Sequence, residues 1–156
     1  MIRFKNFLTI FLIIIFLNNC GFTPRYAINK NLGFSIDLTE ISGDREFNNF
    51  LKTKLSRYAS KESDDKKNYK LNLKTEYKKN VKSRDAAGLT EEYELIITVD
   101  ALIKSELMES KKIIFEEKFD MKKYEDAFGE KNYEKIIKDN FSDIISERII
   151  FYLFKL

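Results

Sequence analysis

Two features of this chain have the residue types and spacing for chemistry: a single thiol, Cys20, and a run of cations, Lys78, Lys79, Lys82 and Arg84. Cys20 directly follows an apolar leader, the position at which a thiol can take a covalent lipid once the leader is cleaved. Lys and Arg bind phosphate and carboxylate groups through charge-assisted hydrogen bonds. The other reading of the cation run is a solvated strand end in a chain already rich in lysine. Histidine and tryptophan are both absent. That removes His-based triads, His general bases and His-containing metal sites. Five glycines form no phosphate-cradling loop. Neither an enzyme nor a cofactor or metal is expected, apart from the covalent lipid at Cys20.

The leader begins with Arg3 and Lys5, continues through an apolar run from Phe7 to Leu17 broken only by Thr9, and ends at Cys20. Spanning a bilayer takes roughly 20 apolar residues, whereas a signal core needs about 7–15. The run therefore reads as a lipoprotein signal over 1–19, with Leu17 and Cys20 in their expected places and Asn18 and Asn19 where small residues usually stand. Residues 20–33 read as a lipid-bearing N-terminus and tether. In the tether Phe22, Pro24 and Tyr26 either dock or simply rest at a membrane. Residues 34–156 read as one periplasmic domain. The net charge of +3 falls to +1 without Arg3 and Lys5, so nothing draws the domain toward nucleic acid. With one cysteine no internal disulfide forms, although the signal directs the chain to an oxidising space.

The elements that would position these groups follow from periodicity. Phe34, Ile36 and Leu38 alternate with polar residues as in a half-buried strand. Ser42-Gly43-Asp44 breaks it, and Asp44 suits a helix N-cap. Phe47, Phe50, Leu51, Leu55 and Tyr58 then predict a helix over 45–59. After a charged connector, Ser60 to Asn68, a long strand alternates from Tyr69 to Val81, and Lys82 to Gly88 fits a turn. A third strand runs from Tyr93 to Ile103. A turn near Met108-Glu109-Ser110 leads into a fourth, Ile113 to Met121, in which Glu117 marks a bulge or the strand end. The C-terminal segment predicts a long helix with Tyr133, Ile136, Ile137, Phe141, Ile144, Ile145, Ile149 and Tyr152 on its buried stripe. Lys135, Lys138, Asp139, Asp143 and Glu147 lie opposite, and Phe151, Leu153, Phe154 and Leu156, which leave the helix end apolar on more than one side, are read as core, with an exposed partner surface as the alternative. The order β-α-β-β-β-α predicts an α+β, two-layer domain: one sheet of about four strands, covered on one face by two helices. Strands two to four should be antiparallel neighbours, with the partner of the first left open.

The start Cys20-Gly21-Phe22-Thr23-Pro24-Arg25-Tyr26, the preceding signal and this element order resemble the lipopolysaccharide-assembly lipoproteins of the LptE family, alphaproteobacterial type. That resemblance implies a lipid-anchored protein on the periplasmic face of the outer membrane, acylated at Cys20. It implies an LptD-like β-barrel partner that the domain plugs and helps assemble, and assistance in placing lipopolysaccharide in the outer leaflet. Lys78, Lys79, Lys82 and Arg84 would then face the lipopolysaccharide headgroup. The alternative is an envelope lipoprotein that holds a lipid or hydrophobic ligand between sheet and helices, without a barrel.

Overall fold

The structure is a computed structural model and describes residues 33–58, 67–106 and 108–156. The signal, Cys20, the tether with Phe22, Pro24 and Tyr26, and most of the charged connector lie outside the described residues. The elements are β1 (Phe34–Ser42), α1 (Arg45–Ser56), β2 (Lys67–Arg84), β3 (Thr90–Ser105), β4 (Met108–Lys122) and α2 (Ala127–Phe154). They form the expected α+β layers. The four strands lie in sequence order, β1-β2-β3-β4, in one mixed sheet. The partner left open for β1 is β2, in parallel, so β1-α1-β2 is a crossover unit. β2, β3 and β4 are antiparallel neighbours.

Alternation assigns the sheet faces. Tyr69, Leu71 and Leu73 of β2 and Leu95, Ile97, Val99, Ala101 and Ile103 of β3 are buried beneath the helices. The helices answer with Phe47, Leu51 and Leu55 of α1 and Ile137, Phe141, Ile145, Ile149 and Leu153 of α2. Each such side chain contributes about 1.5–3 kcal/mol on burial. These contacts hold the layers together. Among the described residues no helix is long and apolar enough to cross a membrane.

Several boundaries differ from the sequence reading. Lys82 to Arg84 are strand rather than turn, because β2 continues through a bulge at Val81–Ser83 and the chain reverses only at 85–89. Met108 to Ser110 belong to β4, since Ser105 already pairs with Met108. α1 ends at Ser56, where the Arg57 N–H bonds back to the Lys54 carbonyl. α2 starts at Ala127, ahead of the apolar stripe, because the Asp126 carboxylate accepts the Gly129 N–H at 2.6 Å and caps the first turn. Glu117 marks neither a bulge nor an end. It stays in register opposite Ile97 and pairs with Arg148 of α2.

The buried side of α2 is also rotated from the expected stripe. Lys138 is only 6% exposed, while Ile136 and Ile144 face solvent. Lys138 sits 4.0 Å over the Tyr77 ring and bonds to Asp44 at 3.4 Å and Glu46 at 3.3 Å. Those acids stand at the start of α1, so the packing of the two helices, rather than apolarity alone, sets the rotation. Phe151 and Phe154, expected in the core, are 61% and 69% exposed, whereas Leu153 between them is buried.

Candidate anion-binding hairpin tip

β2 and β3 form a tall hairpin because both alternate apolar and polar residues over 18 and 16 positions. Its reversal is built by one carboxylate. Asp85 Oδ1 accepts the N–H groups of Ala87 at 2.9 Å and Leu89 at 2.8 Å. The backbone closes with Asp85 N–H to the Leu89 carbonyl and Gly88 N–H to the Asp85 carbonyl. Gly88 supplies the positive φ, +81°, that lets the strand turn back. The loop presents Ala86, Ala87 and Leu89 to solvent, Leu89 at 64% exposure.

The four sequence-predicted cations do not converge there as a set. Lys78 and Lys79 are consecutive strand residues and so point to opposite faces. Lys78 lies on the outer face, 3.0 Å from Glu76. Lys79 lies on the helix face, 2.7 Å from Glu130 and 3.0 Å from Glu134, and 4.3 Å over the Tyr93 ring. Burial works to lower the Lys79 ammonium, but Glu130 and Glu134 outweigh it and hold the group above its ordinary value. Tyr77 donates its hydroxyl to Glu134 at 2.8 Å. Burial first, and then that carboxylate, push the phenol well above its usual range. Lys79 and Tyr77 are thus joined to the start of α2.

Lys82 and Arg84 remain near the tip. Lys82 is the extra residue of the bulge and pairs with Asp120 of β4. That hydrogen bond, ahead of the further charges of Asp120, Glu92 and Glu94, raises the Lys82 ammonium. Arg84 donates one guanidinium N–H to the Gly88 carbonyl at 3.0 Å. That contact leaves the guanidinium's other donors for an anion. The structure adds residues that the sequence reading did not single out. Lys122 lies opposite Glu92, and the Lys123 N–H bonds to the Glu91 carbonyl, so both reach the hairpin's end. Only the β3–β4 register reveals them. Chemically the tip is an ordered platform with exposed apolar atoms, on which Lys82, Arg84, Lys122 and Lys123 stand among the acids Glu91, Glu92 and Asp120.

A ligand pocket between the layers would need open space there. Instead Tyr69, Leu71, Phe47, Leu51, Ile145 and Ile149 occupy it, all 2% exposed or less. A groove of about 470 Å³ lies on the helix side of the molecule, lined by Arg45, Glu46, Asn49, Phe50 and Lys135.

No family model and no curated protein matches the chain. Solved structures do. Rare lipoprotein B from Shewanella oneidensis is similar over 73% of this chain and 92% of its own, at 16% identity and a TM-score of 0.57. A minor lipoprotein from Acinetobacter baumannii is 17% identical over 71% of this chain and 91% of its own, with a TM-score of 0.47. Lipoprotein B from Nitrosomonas europaea is 11% identical over 78% and 86%, with a TM-score of 0.42. The strand and helix order, the long β2–β3 hairpin and the likeness to the Shewanella protein together give this chain the rare lipoprotein B fold, which is that of the LptE-type lipoproteins.

Proposed function

We propose that the protein is a lipid-anchored subunit of a lipopolysaccharide translocon in the outer membrane, plugging and helping to assemble an LptD-like β-barrel. The observation that carries this reading is the fold shared with rare lipoprotein B across nearly that protein's whole length. The Cys20 signal and the Cys20-Gly21-Phe22-Thr23-Pro24-Arg25-Tyr26 start support it. In this reading the chain does no covalent chemistry. Its work is shape and charge, with Arg84 and Lys82 meeting the passing headgroup, Lys78 behind them on the outer face, and Lys79 bracing the hairpin against α2.

Affinity purification of the tagged protein from native membranes in mild detergent tests the partnership. A large β-barrel protein in one-to-one ratio is the expected product. A folded, membrane-bound protein that brings no barrel with it would move the ligand-binding lipoprotein into first place.

A further inference from the structure

One end of the domain combines features that neither the fold nor the barrel partnership requires. The chain enters the sheet at Phe34, which pairs with Lys67 at the start of β2. Lys67 Nζ donates to the Leu156 carbonyl at 3.3 Å. The starts of β1 and β2 and the end of α2 therefore meet at one end, opposite the hairpin tip. There α2 turns Phe151 and Phe154 outward, 61% and 69% exposed, and Lys155 lies 4.1 Å over the Phe151 ring. On the outer sheet face Lys70 stands directly opposite Lys104, and among the described residues no acid is within ion-pair distance of either. Like charges directly opposite each other across a strand pair destabilise a sheet. Among the described residues, Asp37, beside Lys70 in register, and Glu106 and Glu109 are the acids of this end. Lys67, Lys111 and Lys155 add to its cations.

Exposed phenylalanines with Lys155 beside them, at an end that also carries Lys67, Lys70, Lys104 and Lys111, match an anionic lipid surface, with rings at the acyl boundary and ammonium groups at the phosphates. We infer that this end of the domain is a membrane-docking surface for anionic phospholipid, a second contact beside the lipid at Cys20. The 13 residues between Cys20 and Phe34 reach at most about 45 Å, so a lipid at Cys20 keeps this end close to the bilayer. The inference rests on the lipoprotein reading for what brings the chain to the membrane.

The absence of tryptophan makes a direct test possible. The lipidated full chain, carrying either Phe154→Trp or Leu89→Trp, is purified from membranes in detergent and reconstituted into phosphatidylglycerol-containing vesicles. Both sites are largely exposed, so neither substitution disturbs the core. The Phe154→Trp reporter should show blue-shifted emission, quenched by brominated lipid and shielded from iodide. It should lose part of that shift in pure phosphatidylcholine or at high salt. The Leu89→Trp reporter, at the far end of strands about 55 Å long, should stay open to iodide. A chain that floats with the vesicles but shows equal iodide quenching at both positions overturns the docking and leaves the anchor standing. Lipid quenching at both positions overturns the end-on placement. A chain that does not float overturns both anchor and docking. Identical Phe154→Trp behaviour in neutral and anionic vesicles overturns the assignment to anionic lipid.

Discussion

The turn from β1 into α1 hangs on three residues. Thr75 Oγ1 accepts the Asp44 N–H at 3.0 Å and lies 2.6 Å from Asn48 Oδ1 and 3.1 Å from the Ser42 carbonyl. Asp44 in turn accepts the Phe47 N–H at 2.8 Å. Between them Gly43 holds a φ of +107°, and a Cβ there would stand 1.8 Å from the Thr75 carbonyl oxygen. The clash is with backbone, which cannot swing aside. Gly43→Ala should therefore cost about 3 kcal/mol or more, read as a lower urea midpoint with an unchanged slope. A loss below about 1 kcal/mol would contradict the close approach. The Asp44 cap was legible in sequence, from its type and its place ahead of an apolar repeat. Thr75's role was not, because its partners are more than 25 positions away and only the parallel β1–β2 pairing brings them together.

At the scale of elements, the seam between the hairpin and α2 is charged. Glu130 accepts from Lys79 and, at 3.3 Å, from the Tyr124 N–H. Burial raises its carboxyl, but Lys79, that N–H and the charges of Lys79 and Lys123 outweigh burial and hold it below its ordinary 4.5. A carboxyl depressed in the folded state stabilises above its unfolded value, and that stabilisation is lost as pH falls through the lower folded value. Urea midpoints should thus decline below about pH 4.5, and Glu130→Gln should flatten part of that acid slope. An unchanged slope in Glu130→Gln would remove the pair from the account. Alternation in the sequence revealed all four strands, and helical spacing of the apolar residues revealed both helices. It did not reveal this seam, because Lys79 and Lys138 look like solvated lysines until the α2 packing is known. It also misplaced Phe151 and Phe154, since a short apolar run near a helix end does not show which of its sides meets the sheet.

At the scale of the whole molecule, the two ends differ in chemistry. The tip carries an ordered loop with Arg84 and Lys82, and the far end carries exposed phenylalanines and lysines. Charge reversal of Lys82 and Arg84 together should weaken lipopolysaccharide binding several-fold, with only a small fall in the unfolding midpoint from loss of the exposed Asp120 pair and the Gly88 contact. Unchanged binding by the folded double variant would place the lipid elsewhere on the molecule. The candidate site was only partly legible: the sequence supplied the cations and the turn, but strand alternation divides Lys78 from Lys79, and Lys122 and Lys123 join only through β4.

Enclosure by a barrel is the central claim, and cross-linking in living cells tests it most directly. A photo-reactive residue is placed in turn at Leu89, Ile114 and Phe128, three exposed positions on the hairpin tip, the outer sheet face and the start of α2. All three should trap the same large β-barrel protein. Adducts from one position alone, or from none while the protein remains folded in the membrane, would contradict the plug.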